Sequence, residues 1–551
     1  MGPVGVGANL PRMAGACDNI DWITRSPPGY KTAPMRESGV LLPLFSIRSP
    51  SGWGLGEIPD VVPFARWAVS AGFSLVQVLP VNEAARGQNS PYSAISAFAI
   101  DPIYLALDAS EDFQAAGGLD ALSDEDRALL AELRASPAVR WRDVRALKER
   151  ACEMAFRSFL EHHWHASTAR AAALRAYRRA HASWLTDYAL FVAIHDDLQA
   201  GRCWQEWPAP LATRDPDALA EARAQLSERV LYRCWLQWHL DEQWQEARRA
   251  VMAAGADLMG DLPFMVATDS ADVWARPGDF RLDARAGVPP DAFSADGQDW
   301  GLPVYRWDQM ARNAYAWITA RARRSAELYG AYRVDHVVGF YRSFYRPNDG
   351  GPPGFVPDTE PAQIQNGERV MAAFAQGARV IAEYLGTVPD FVRASLSRLG
   401  IPGYRVLRWE KDGAVFRDPR TWPTVSLATT GTHDTDSLAD WWESLDPAER
   451  KALLALPALE PLAKLAPVKF DEVVRDALLG LVSASGSDLL LLPFQDAVGS
   501  RERVNVPGTV NEENWSYRMS QPMSAVLADD ATAVRLATLA RVTGRMKESA
   551  G

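Results

Sequence analysis

Two histidine–aspartate pairs, in Tyr332-Arg333-Val334-Asp335-His336 and Thr430-Gly431-Thr432-His433-Asp434-Thr435, are the residues of this chain best suited to chemistry. Between them, Glu383 closes the apolar run Val380-Ile381-Ala382. Three carboxylates gathered at one point meet the needs of glycosidic bond cleavage: a nucleophile, a proton donor and a stabiliser of positive charge. Each follows a short β-like stretch, which is where a (β/α) barrel opens its active face.

Strand alternation puts Arg333 and Asp335 on one side. A cation beside a carboxylate keeps it ionised, as a nucleophile requires. The same pair serves equally as a structural ion pair closing a strand. Glu383 precedes Tyr384-Leu385-Gly386, and an apolar, aromatic surround disfavours its charged form, which suits a general acid. Alone it reads more simply as a glutamate at a helix start; its place between the two Asp-His segments is what favours chemistry. The Thr and Gly residues around His433-Asp434 leave room for a ligand, and an aspartate gripping ring hydroxyls stabilises charge at the anomeric carbon. A zinc reading of His336, His433 and the acids lacks HExxH or close His–Cys spacing, so no metal is expected. His162-His163-Trp164-His165 lies in a helical, Arg-rich stretch and reads as surface.

Loops rich in Gly, Pro and aromatic residues suggest a substrate platform: residues 287–293, residues 297–301 with Gln298 and Trp300, and Asn89-Ser-Pro-Tyr92. Tightly packed corners have the same composition, and packing is the default for most of these rings. The Gly52, Gly54, Gly56 run is not a dinucleotide fingerprint, because its third glycine comes one position early.

Positioning these groups requires strands that recur along the chain. Apolar, β-prone runs occur at 39–44, 75–79, 257–262, 331–335, 380–383, 404–408, 425–430 and 488–492, eight in all. Helical spacing separates most of them, at 314–329, 368–376, 388–399 and 471–483, and alternation of this kind implies a parallel sheet. Residues 106–250 are rich in Ala, Leu, Arg and Glu, and read as a helical insertion. The expected organisation is a lead-in over 1–37, a barrel start over 38–105, the insertion over 106–250, the rest of the barrel over 251–525, and a C-terminal helix with tail over 526–551.

A length of 551 residues accommodates such a barrel with insertions. The net charge of −11 argues against a nucleic-acid surface, which needs clustered Lys and Arg. No apolar run is long enough to span a bilayer. Cys17, Cys152, Cys203 and Cys234 show neither CxxC spacing nor a disulfide framework, and no basic segment with an apolar core marks a secretory leader; a cytoplasmic protein is expected.

Taken in order, the motifs resemble the 4-α-glucanotransferases, the amylomaltases or disproportionating enzymes of glycoside hydrolase family 77, from about Gly39 to Met519. The markers are Ser90-Pro-Tyr92, Gly260-Asp-Leu-Pro263, Asp269-Ser-Ala-Asp-Val-Trp274, Pro289-Pro-Asp291, Gln298 with Trp300-Gly301, Arg333-Val-Asp-His336, Ala382-Glu383, Gly431-Thr-His-Asp434, and Asn505-Val-Pro-Gly-Thr509 with Asn514-Trp515. The resemblance implies an α/β fold: an amylase-type (β/α)8 TIM barrel with large, mainly helical insertions and no separate C-terminal β-domain. It implies Asp335 as nucleophile, Glu383 as general acid/base and Asp434 as transition-state stabiliser. Arg333, His336 and His433 would position these groups and the sugar, with Asp261, Gln298, Trp300 and Tyr92 as sugar contacts. The implied reaction passes an α-1,4-glucan segment from a maltooligosaccharide or glucan donor to glucose or another glucan by double displacement, without cofactor or catalytic metal. An α-glucan hydrolase of the same superfamily and a catalytically weak glucan-binding homologue are the alternatives. Two positions depart from the family pattern: Tyr384 stands where Asp is usual, and Val337-Val338 where many members have Phe-Arg.

Overall fold

Eight short strands close a barrel in the computed structural model, which describes residues 36–290, 297–509 and 511–546. Most of the 1–37 lead-in, residues 291–293 of the first expected substrate loop and the end of the tail lie outside the described residues. The barrel strands are β1 (Glu37–Leu41), β2 (Leu75–Gln77), β3 (Asp257–Leu262), β4 (Ala331–Val334), β5 (Arg379–Ala382), β6 (Gly403–Val406), β7 (Ser426–Thr429) and β8 (Leu489–Pro493). Neighbours pair in parallel, and β8 returns to β1 with Glu37 opposite Leu489 and Leu41 opposite Pro493. The expected TIM barrel is therefore what the chain forms. Its strands are covered on both faces, so they read as continuous apolar runs; β8, Leu-Leu-Leu-Leu-Pro, is buried throughout.

Helix α1 (Val61–Ser70) joins β1 to β2 and buries Val61, Phe64, Ala65, Trp67 and Ala68. Helices fill the stretch between β2 and β3; the longest are α2 (Trp141–Phe159) and α3 (Ser227–Ala253). Further helices flank the later strands: α4 (Ala316–Leu328), α5 (Glu360–Phe374), α6 (Asp390–Arg398) and α7 (Glu472–Ser483). Helix α5 begins well ahead of its expected start at 368. Its first turns carry the buried polar residues Gln363 and Asn366, which interrupt the apolar period but are satisfied by Pro357 O, Phe340 O and the Tyr315 hydroxyl. The C-terminal helix expected from residue 526 is broken by Asp529, whose carboxylate caps Thr532 N at 3.1 Å and starts α8 (Asp530–Val542).

A sheet outside the barrel was not expected. Phe280–Val288, Gln298–Tyr305, Ser343–Pro347 and Gly354–Val356 form a four-stranded antiparallel sheet beside the barrel. Its Gly- and Pro-containing edges read locally as loops, and its central pairing, Ala284–Gly287 with Phe344–Pro347, joins segments about 60 residues apart. Among the described residues no helix is long and apolar enough to cross a membrane.

Candidate active site

Residues immediately after parallel barrel strands project into the mouth at the carboxyl end. Arg333 lies within β4 and Asp335 just beyond it; Glu383 follows β5; Asp261 is the penultimate residue of β3; His433 and Asp434 sit in the loop after β7. Backbone bonds hold the two strand ends in register, from Asp335 N to Leu262 O at 3.0 Å and from Glu383 N to Val334 O at 3.0 Å. His336 takes a left-handed conformation, φ 44°, which turns the chain out of β4.

Arg333 is the hub. Its Nη1 donates to both oxygens of Asp261 at 2.8 Å. Its Nη2 lies 2.7 Å from Asp335 Oδ1 and 3.9 Å from Glu383 Oε2. These last two contacts share one nitrogen, so the two carboxylate oxygens stand no further apart than both legs together. Glu383 accepts backbone N–H bonds from His336 at 2.8 Å and from Leu385 at 2.7 Å. Burial drives its carboxyl up to about 7, aided by Asp335 and opposed by Arg333 and the two N–H donors. Asp434 behaves oppositely: burial pushes it up, but His433, at 3.3 Å, and Asn505 Nδ2, at 2.6 Å, outweigh that and hold it at about 2. His336 is pushed down by burial to about 4 and is neutral near pH 7.

Tyr92, from the loop after β2, donates its hydroxyl to Asp261 at 2.8 Å and stacks on His433 with ring centroids 5.3 Å apart. Trp515 flanks both rings. Trp300 meets the His336 ring edge-on at 4.9 Å, and its indole N–H donates to Gln298 Oε1 at 3.0 Å. The resulting cleft, about 690 Å³, is lined by Tyr92, Gln298, Trp300, Arg333, Asp335, His336, Val338, Glu383, Trp409 and Asp434, among others.

Of the residues singled out from sequence, Asp261 and His433 are brought to the site but stand behind the lining. The Asp261 side chain is fully covered. Tyr384 is turned away from the cleft, packed on Gly403 and overlain by Arg393; Val338 is in the wall. Several residues of the site were not expected, Trp409 of the lining among them. Asn505 and Trp515 lay within a recognised motif without an assigned place. Arg503, which donates to Asp434 O at 2.8 Å and to Asn505 O at 2.7 Å, had no signal at all. Among the described residues no cluster of three or more His, Cys, Asp or Glu is disposed to hold a metal. His162 and His165 are exposed.

A family model described as 4-alpha-glucanotransferase matches residues 42–524. A 4-alpha-glucanotransferase of Thermus thermophilus is 33% identical over 513 residues, covering 88% of this chain and 95% of its own. One from Chlamydia pneumoniae is 30% identical over 496 residues, covering 87% and 91%. Among solved structures, an amylomaltase from Streptococcus agalactiae in complex with acarbose superposes with a TM-score of 0.78 at 25% identity, covering 93% of this chain and 100% of that one. With the family model matching residues 42–524 and these relatives aligned over nearly the full length, the chain belongs to the 4-alpha-glucanotransferase family.

Proposed function

We propose that this protein transfers α-1,4-glucan segments between maltooligosaccharides by a retaining double displacement, with Asp335 as nucleophile, Glu383 as acid/base and Asp434 as the stabiliser of the transition state. The observation that carries this reading is the Arg333 guanidinium between Asp335 and Glu383. It caps their separation at the lower edge of the roughly 6.5–9.5 Å that inverting enzymes use, and is compatible with the roughly 5–5.5 Å of retaining ones.

In the first step Glu383, whose raised pKa of about 7 keeps a protonated fraction near neutral pH, gives its proton to the glycosidic oxygen. A carboxylate oxygen of Asp335 attacks the anomeric carbon, the glycosidic bond breaks, and the leaving sugar departs with a 4-hydroxyl. In the second step Glu383, now ionised, takes the proton of an acceptor 4-hydroxyl. That oxygen attacks the same carbon, frees Asp335, and restores the original stereochemistry. Asp434, ionised throughout, faces the positive charge that develops at each step. Neutral His336 offers a hydrogen bond without adding charge. Asp261 acts through Arg333 rather than on the sugar, because its side chain is covered. Tyr92, Gln298, Trp300, Val338 and Trp409 form walls against which a glucan or a glucose acceptor displaces water, and that displacement favours transfer over hydrolysis. The scheme needs no group beyond these side chains.

Purified protein given maltotriose is expected to yield glucose and a ladder of longer maltooligosaccharides, with reducing ends constant. Reducing ends that rise as substrate falls, without longer products, would make it an α-glucan hydrolase. Calorimetric binding with no products would make it a glucan-binding homologue.

A further inference from the structure

The helices between β2 and β3 place no side chain in the lining of the cleft, yet one chain of hydrogen bonds, charged at its centre, joins them to two of its walls. It centres on His195, in the five-residue π-helical turn Ile194–Leu198. Such turns displace a side chain from helical register and recur at functional sites. The His195 side chain is almost wholly buried, and both ring nitrogens face carboxylates: Nδ1 is 2.8 Å from Asp196 Oδ1, and Nε2 is 3.3 Å from Asp269 Oδ2. Burial alone would discharge the ring, but these carboxylates hold it up at about 9, so near neutral pH both nitrogens donate.

From Asp196 the chain runs to the first wall. Arg86 grips Asp196 with two nitrogens, Nε at 3.2 Å and Nη2, while Nη1 reaches Glu83 at 3.2 Å. Arg86 stands at the neck of a hairpin closed by Ala85 N–H on Ser93 O at 2.7 Å, and Gln88, Ser90, Tyr92 and Ser93 beyond it line the cleft. From Asp269 the chain runs to the second wall. Asp269 accepts Trp204 N–H at 3.1 Å, the Trp204 indole donates to Thr268 O at 2.9 Å, and the Thr268 hydroxyl donates to Gly301 O at 3.2 Å, beside Trp300. Backbone bonds from Ala267 and Ala271 to Ala94 and Ile95 already join the two segments on the hairpin's return side. On its outgoing side the hairpin is tied to the insertion by Arg86 on Asp196 and, just before it in the chain, by the Tyr188 hydroxyl on Glu83.

We propose that His195 is a positioning residue for glucan binding: its bond to Asp196 orients the carboxylate that Arg86 of the Tyr92 hairpin grips, and its bond to Asp269 ties the Trp300 wall to the helical insertion, so that this clasp fixes the width of the cleft. This rests on the cleft being the glucan site. Since His195 touches no reacting atom, it governs how well the sugar is held and leaves bond breaking alone.

His195→Gln keeps a donor for one carboxylate and loses the charge. Its KM for maltotriose is expected to rise about tenfold with kcat within about twofold of the parent. Arg86→Gln should do the same, and the double variant should be no worse than either single one. Asp269→Asn, nearly isosteric and more exposed, carries the same expectation if His195→Gln does not fold. An unchanged KM in a folded variant, a fall in kcat at constant KM, or additive effects would each overturn the clasp. Titration calorimetry with maltotriose separates this from the reaction itself: parent protein that binds but forms no longer products defeats the transfer reading, while a tenfold weaker affinity in His195→Gln still upholds the clasp.

Discussion

Glu383 and Asp434 line one cleft, and their surroundings push them in opposite directions. Glu383 has two neutral N–H donors and a shared, distant guanidinium to set against deep burial, and its carboxyl rises to about 7. Asp434 has an adjacent histidine and a short bond from Asn505, and stays ionised down to about 2. Separation of this kind supports the proposed acid role for one and charge role for the other. Because attack on the donor needs protonated Glu383, kcat/KM for maltotriose should fall about tenfold per unit as pH rises beyond about 7, and a flat profile from about pH 6 to 9 would remove the role. Asp335→Asn should lower kcat by roughly three orders of magnitude or more without unfolding the protein; a loss under about tenfold would name the wrong nucleophile. Glu383 also weighs on stability. Its folded pKa lies above the unfolded value near 4.3, so stability falls as pH rises from about 4.3 to 7. Glu383→Gln should therefore stabilise the fold by up to roughly 3 kcal/mol at pH 8 and by little near pH 4, read from urea unfolding. An equal gain at both values would sink that explanation.

At the scale of elements, strand ends hold the acids, while packing behind the strands decides their aim. Tyr384 follows Glu383 directly and lies flat on Gly403 at the start of β6, where an added Cβ would stand 1.7 Å from the ring. Gly403→Ala is expected to cost roughly 2 kcal/mol or more, to displace Tyr384 and to lower kcat; a variant with the parent's melting temperature and turnover would show that the ring has room to move. The same packing explains why Tyr384, a departure from the family pattern, stays clear of the cleft, whereas Val338 helps to form it. The barrel strands were legible as apolar runs. The antiparallel side sheet was not, because its strands are half-exposed and take their partners from distant segments.

For the whole molecule, the barrel's two ends divide the labour. Opposite the cleft, at the amino ends of β1 and β8, the fully buried Arg545 donates to the carbonyls of Glu37, Ser483, Ser485, Ser487 and Asp488. It ties the turn after α8 to the seam where the barrel closes. Arg545→Met should destabilise by roughly 2–4 kcal/mol by leaving those carbonyls unpaired, yet keep kcat within about twofold; a matching loss of turnover at full folding would link the two ends. The amino-acid order by itself determined the barrel and put Asp335, Glu383 and Asp434 after its strands, since strands buried on both faces must be apolar. Only the tertiary structure decided which of these acids holds a proton. Asn505 reaches Asp434 across 71 residues and Asp261 supports Arg333 across 72, and protonation depends on such partners within a few ångströms, brought from segments that carry no local mark of the role.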